Sequence, residues 1–224
     1  AHPEARLVAG ATELGLEFQH VPTPFGGGAT RTPEFLALNP NGHIPVLVDA
    51  RPEGEVVVWE SMACALYLAR VHGHADGVSI APATPREEAE ALRWSFWVVT
   101  ECEADALTVL MHRVAMPEAR RKPELADAAE KRLAVPLRVI ESHLQRQREA
   151  GQAWLAAERF TVADLCVASV LLWARASRVL MQAHPLTHEW VQRCVARPAY
   201  VALRREADPK PQTSRRATQP VAPS

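Results

Sequence analysis

The sequence predicts a small α/β unit followed by an all-α unit, and three observations carry that expectation. Two short β-branched runs, residues 46–48 and 56–58, flank the turn-forming Arg51-Pro52-Glu53-Gly54, the pattern of a hairpin. A polar, glycine-containing stretch, residues 72–85, then interrupts the apolar pattern. Beyond it the apolar residues recur at helical spacing.

The elements follow in order. Residues 3–14 carry Leu7, Val8, Ala11 and Leu14 at helical spacing, with Gly15 where a C-terminal cap belongs. Residues 17–21 alternate as a short strand does. Residues 22–32 hold Gly26-Gly27-Gly28 and two prolines, a mobile loop; the glycines lack phosphate-loop spacing and a following Lys-Ser/Thr. Residues 33–38 form a helical turn, the hairpin follows, and residues 61–71 form a helix. After the connection, residues 86–114 read as one long helix with Leu92, Trp94, Phe96, Trp97, Val98, Leu107, Leu110 and Met111. Residues 123–149 place Leu125, Leu133, Leu137, Ile140 and Leu144 on one face, with Pro136 predicting a kink or break. Thr161-Val162-Ala163-Asp164 has the form of a capping box. The helix it opens, through Trp173, is apolar nearly all round and belongs in a core. Two short helices, residues 185–195 and 198–205, precede a Pro, Ser, Thr, Gln and Arg tail that is expected to be disordered. The expected division is 1–74, a linker at 75–85, 86–206, and the tail 207–224.

Bulk properties exclude several classes. With 224 residues, 48% hydrophobic and 23% charged, the chain is an ordinary globular sequence. A formal net charge of -1 leaves no electrostatic footprint for nucleic acid or an anionic membrane. No apolar run is long enough to cross a bilayer, and Ala1-His2-Pro3-Glu4 does not open a secretory signal. Cys64, Cys102, Cys166 and Cys194 lie far apart, without zinc-like spacing. They read as buried thiols of a protein in the reducing cytoplasm. His72 and His74 flank a glycine but have no third ligand beside them, so no metal site is expected.

The chemistry concentrates around residues 38–68. Leu38-Asn39-Pro40-Asn41-Gly42-His43-Ile44-Pro45-Val46-Leu47 delivers an Ile-Pro bond from a polar loop into an apolar strand, and Trp59-Glu60-Ser61-Met62-Ala63 opens a helix. An X-Pro bond adopts cis at modest cost. A helix amino end presents free N–H groups to an anion. Together they suit a small peptide held by its main chain and a carboxylate. Each also has a plainer reading: a structural turn at Ile44-Pro45, and an N-cap at Ser61.

Asn39-Pro40-x-Gly42-x-Ile44-Pro45-x-Leu47 with Glu60-Ser61-x-Ala63 resembles the glutathione-binding half of the cytosolic glutathione S-transferases of bacterial type, over about residues 3–205. The resemblance implies an α/β thioredoxin-like N-terminal domain plus an all-α helical C-terminal domain. It implies that Ile44, before a cis Pro45, pairs its main chain with the glutathione cysteinyl unit. It implies that Ser61 holds the γ-glutamyl carboxylate, that Glu60 takes the ammonium, and that His43 lies near the glycine carboxylate. His43 reads equally as an exposed loop residue. Trp94, Trp97 and Met111 are placed as the pocket for an apolar electrophile, although the same stripe suits a plain core. Thr100-Glu101 resembles a pair near the family's dimer cleft and otherwise fits a satisfied polar stripe. The implied activity is conjugation of the glutathione thiolate to a small apolar electrophile, or a glutathione-dependent reduction, by a homodimer. Glutathione is the co-substrate, and the role is detoxification.

Such chemistry needs a donor that stabilises the thiolate. In the family it precedes the first helix, a position that falls at or near Ala1, where Ala1, His2 and Pro3 offer no Ser, Cys or Tyr. The catalytic residue is therefore unassigned: a first strand and its donor are expected to lie in a missing N-terminal stretch, the alternatives being a strand that is truly absent or a donor role for His2 or a backbone N–H. Loss of the donor would favour a non-catalytic binding or scaffold protein of the same fold.

Overall fold

The structure, a computed structural model, describes residues 5–24, 27–73 and 79–207, the last four as backbone only. Helix α1 (Ala5–Glu13) ends at Gly15, which adopts the left-handed φ of 65°. After a 3₁₀ turn (Ala29–Arg31) and helix α2 (Pro33–Leu38), strands β1 (Val46–Arg51) and β2 (Gly54–Trp59) form the expected hairpin. Their antiparallel register runs from Val46 opposite Trp59 to Arg51 opposite Gly54. Helix α3 (Ser61–His72) closes this half and packs on the hairpin: the Cys64 thiol donates to the Val58 carbonyl at 3.3 Å, and the Tyr67 hydroxyl donates to Asp49 at 2.8 Å.

Residues 17–21, expected as a strand, run without regular structure, and Phe18 and Val21 are exposed. Alternation supplies a face, but a strand also needs a neighbour to bond. Among the described residues β1 and β2 pair only with each other.

The helix expected over 86–114 is a composite. Helix α4 (Pro85–Trp97) leads into a π-helical turn (Val98–Cys102), then α5 (Glu103–Leu110) and a second π-helical turn (Met111–Ala115). Helix α6 (Pro123–Glu149) is continuous through Pro136, where a kink or break was expected, so the proline does not end it. The lost hydrogen bond and ring clash cost about 3 kcal/mol. Buried Leu133, Pro136, Leu137 and Ile140 offset it, at about 1.5–3 kcal/mol for each large apolar side chain taken from water.

Helix α7 (Val162–Ala174) is the core, buried along nearly its whole length. Its capping box forms as expected: Thr161 Oγ1 accepts from the Ala163 N–H at 3.3 Å, and Asp164 accepts from the Thr161 N–H at 3.0 Å. Helix α8 (Arg178–Ala183) was not expected, though its cap, Ser177 accepting from the Leu180 N–H at 3.2 Å, is written in the sequence. Helices α9 (Pro185–Val195) and α10 (Pro198–Ala207) complete the chain. The tail expected as disordered lies, past Ala207, outside the described residues. All four cysteines are free and buried, as expected. No helix among the described residues is long and apolar enough to cross a membrane.

Helix α1 joins the halves. A Cβ on Gly10 would sit 3.2 Å from Leu165 Cδ2, so the Leu165 side chain packs directly on the α1 backbone there. Arg197 makes a two-pronged ion pair with Glu13, at 2.8 and 2.7 Å.

Candidate functional site

The corner between the 39–45 loop and the start of α3 gathers His43, Ile44, Pro45, Glu60 and Ser61 in one half of the molecule. Buried Asn39 organises the loop. Its amide donates to the His43 carbonyl at 2.8 Å, and its Oδ1 accepts from the Asn41 N–H at 3.0 Å. Gly42 holds a φ of 62°, and a Cβ there would lie 2.8 Å from the Thr30 carbonyl, so the turn requires glycine. His43 is exposed. The Ile44-Pro45 bond is cis. Ile44 is half-buried and precedes the ladder, which begins at Val46.

At α3 the residue in the cap position is Glu60, at φ 69° and ψ 115°. It is the one non-glycine residue with positive φ among the described residues, a conformation that costs on the order of 1–3 kcal/mol and clusters at ligand sites. The plainer reading of Ser61 as an N-cap therefore does not hold: Ser61 is the first helical residue, and no side chain caps α3. By contrast Thr32, Thr84, Thr161 and Ser177 cap α2, α4, α7 and α8. The amino end of α3 keeps its N–H groups and partial positive charge for something else.

Ser61 Oγ instead accepts from Arg6 Nη1 at 2.7 Å. Arg6 is only 4% exposed. Its Nε donates to Ser169 Oγ at 2.6 Å, and its Nη2 lies 3.9 Å from Glu103 Oε1. Burial pushes the Glu103 carboxyl above its usual range, against the pull of Arg6, and the Glu60 charge adds to the rise. Sequence reasoning missed Arg6 and Glu103. A signal existed: Arg6 shares the apolar face of α1 with Ala9, Gly10 and Leu14, where a charge needs a partner.

Trp94, Trp97 and Met111 stand elsewhere. Trp94 is buried, its ring 5.0 Å from that of Trp97 and 4.8 Å from that of His143. These side chains, with Arg93, Val139 and Arg146, line a cavity of about 280 Å³ between α4 and α6 that none of His43, Ile44, Pro45, Glu60 and Ser61 lines. Met111 is half-buried and is not among its walls. Thr100 and Glu101 are exposed, and the Thr100 hydroxyl donates back to the Phe96 carbonyl at 3.1 Å. His72 Nε2 pairs with Asp49 at 2.9 Å, while His74 and the Ala1 to Pro3 positions lie outside the described residues.

Burial raises the Cys64 thiol to about 11 and holds Cys102, Cys166 and Cys194 above the usual thiol range. None is a ready thiolate nucleophile. Among the described residues no group of three or more His, Cys, Asp or Glu is placed to hold a metal.

This loop, cis bond and uncapped helix define a thioredoxin-like half set against a helical one. The chain belongs to the glutathione S-transferase family: the family's N-terminal domain model matches residues 5–71 and its C-terminal domain model residues 100–198. It is similar to glutathione S-transferase 3 of Zea mays, 32% identical over 203 residues that cover 87% of this chain and 85% of that one. It is also similar to the disulfide-bond oxidoreductase YfcG of Escherichia coli, 30% identical and covering 84% and 83%. Among solved structures, the glutathione transferase URE2P6 of Phanerochaete chrysosporium in complex with oxidized glutathione superposes with a TM-score of 0.73. It is 27% identical and covers 92% of each chain.

Proposed function

We propose that this protein is a glutathione transferase that joins the glutathione thiolate to a small apolar electrophile, using the corner of His43, Ile44, Pro45, Glu60 and Ser61 as its glutathione site. The observation that carries the reading is the uncapped amino end of α3, with Glu60 strained beside it and Ser61 held by a buried guanidinium. In this reading the γ-glutamyl carboxylate meets Ser61 and the first-turn N–H groups of α3, where the helix end adds about 0.3–1 kcal/mol for an anion. Glu60 takes the α-ammonium, the Ile44 main chain pairs with the cysteinyl unit, and His43 stands by the glycine end. Trp94 and Trp97 line a cavity that this corner does not share, and Met111 lies outside it, so these three do not form its electrophile wall. The complex of URE2P6 with oxidized glutathione supports the ligand. The reading calls for no metal.

The glutathione-binding unit is residues 1–74, joined through 75–85 to the helical unit 86–206. Two copies associate by packing residues 61–71 of one on the helical stretch 86–114 of the other. Leu92, Phe96, Val99 and Leu107 lie exposed there, Phe96 by 66%, an apolar face that association would cover. The four free thiols fit a reducing compartment, the cytoplasm.

Calorimetric titration with glutathione, beside a conjugation assay on an aryl halide, tests the proposal. Binding with turnover is the expected result, and absence of binding overturns it. A second reading, glutathione-dependent disulfide reduction, has support in the likeness to the disulfide-bond oxidoreductase. Reduction of a model disulfide without conjugation would select it, and binding without either reaction would select a non-catalytic member.

A further inference from the structure

The buried guanidinium beside Ser61 fixes the direction of a chain of hydrogen bonds. An arginine side chain only donates. Ser61 Oγ, 2.7 Å from Arg6 Nη1, and Ser169 Oγ, 2.6 Å from Arg6 Nε, are therefore both acceptors toward it. Each hydroxyl has one proton to give. Ser169 gives its proton to the Cys166 carbonyl at 2.7 Å, so its oxygen is free to accept from Arg6. Ser61 must direct its own proton away from Arg6. The order thus runs from the Cys166 carbonyl, inside the core helix α7, through Ser169 and Arg6, to an O–H donor at the amino end of α3.

We propose that Ser169 is a positioning residue for the ligand site: by holding Arg6 it fixes the Ser61 hydroxyl as a donor, and so selects a carboxylate over an amide at that point of the ligand. The inference rests on the glutathione site proposed above and adds a residue from the other half of the chain, 108 positions from Ser61 (169 − 61).

Two features make Ser169 more than packing. Arg6 is buried, and among the described residues its nearest acidic partner, Glu103, stands at 3.9 Å, beyond a direct hydrogen bond. The orientation of the guanidinium plane is therefore set by the two serine oxygens. Without Ser169, Arg6 Nε loses a buried acceptor, and the guanidinium turns to recover one. The Ser61 proton is then no longer steered outward by the charged donor beside it, and its discrimination between ligand groups falls. A carboxylate offers only acceptors, whereas a primary amide also offers donors. The site as ordered presents a donor and a positive charge, which suits a charged carboxylate better than a neutral amide.

The test is calorimetry on the full chain with three probes: glutathione, glutathione whose γ-glutamyl α-carboxylate is a primary amide, and glutathione whose glycine carboxylate is a primary amide. In the wild type the first amide is expected to bind about tenfold or more weakly than glutathione, the range of a charged hydrogen bond. In Ser169→Ala and in Arg6→Lys that ratio is expected to narrow to about threefold or less, because glutathione itself binds more weakly while the amide hardly changes. The ratio for the glycine-end amide stays at its wild-type value, which a general loosening of the site would not allow. An unchanged γ-glutamyl ratio in Ser169→Ala overturns the proposal, whatever Arg6→Lys does. Should Ser169→Ala not fold, Ser169→Cys, a near-isosteric side chain whose sulfur is only a weak acceptor, carries the test with the same two outcomes. A wild type that binds no glutathione removes the site reading first, and this inference with it.

Discussion

Asp49 and Asp164 are the same residue type in opposite circumstances, one in each half. Asp164 is fully buried and takes hydrogen bonds from the N–H groups of Leu155 and Thr161, the Thr161 hydroxyl and the Trp190 indole. Burial still wins and pushes its carboxyl up to about 6, against those donors. Asp49 is half-buried, with His72 and Tyr67 as partners. There burial also pushes upward, but the His72 and Tyr67 hydrogen bonds prevail and hold the carboxyl below its ordinary range. The difference extends to the halves themselves. The helical half spends its polar side chains on its own helix ends and core and on α1. The hairpin half keeps Glu60, Ser61 and His43 at its margin, with Val48, Val57 and Trp59 still in reach of water. One half is a foundation, and the other holds what a ligand can meet.

The largest expected effect breaks the foundation. Asp164→Ala leaves the Leu155 and Thr161 N–H groups and the Trp190 indole without their acceptor, at about 1–3 kcal/mol each. Urea denaturation should show a loss of several kcal/mol, and a loss under about 1 kcal/mol would erase the contrast. Next, Ser61→Ala should weaken glutathione about tenfold, with a fall in the urea midpoint smaller than that of Asp164→Ala, since only Arg6 Nη1 loses an acceptor. An unmoved affinity would mean that the ligand sits elsewhere. Third, Phe96→Asp with Leu107→Asp should shift a dimer toward monomer in sedimentation; a chain that sediments as a monomer before mutation sinks the dimer proposal.

The smallest effect is the pH signature of the two carboxyls. Asp164 binds its proton more tightly folded, at about 6, than at its ordinary 3.8. Its contribution to stability therefore grows as pH falls from about 6 toward 4, and is lost as pH rises through 6. Asp49 works the other way: its contribution is present above the ordinary carboxylate range and is lost as pH falls through its depressed value. Wild-type stability minus that of Asp164→Asn should rise between pH 7 and 5. For Asp49→Asn the difference should be flat there and fall only in stronger acid. Equal slopes for both would contradict the contrast.

Much of this architecture is legible in residue patterns whose causes are local. Val46 and Val58 write the hairpin, Thr161 and Asp164 write their cap, and Ile44-Pro45 with Glu60-Ser61 write the corner. Partnerships across the chain are what the pattern hides. Residues 17–21 alternate correctly, but alternation says nothing of which strand lies alongside. Pro136 breaks a helix in isolation, yet the apolar face of α6 keeps it whole. Ser61 looks like a cap because Ser usually is one, and only the position of Arg6, 55 residues earlier, shows its oxygen to be engaged. Trp94 and Trp97 advertise a pocket, and they do line a cavity, but one away from the corner.

Helix α1 carries one more consequence. It is written into the first half of the sequence, but Arg6 leans on Ser169 and Glu13 is locked to Arg197, both in the second half. A chain ending after α3 would carry a guanidinium and a carboxylate stripped of these partners, and Gly10 without the leucine it faces. The boundary between the halves is thus a boundary of motif and not of energy. Melting should proceed as one cooperative transition, and neither half should persist once the other has come apart.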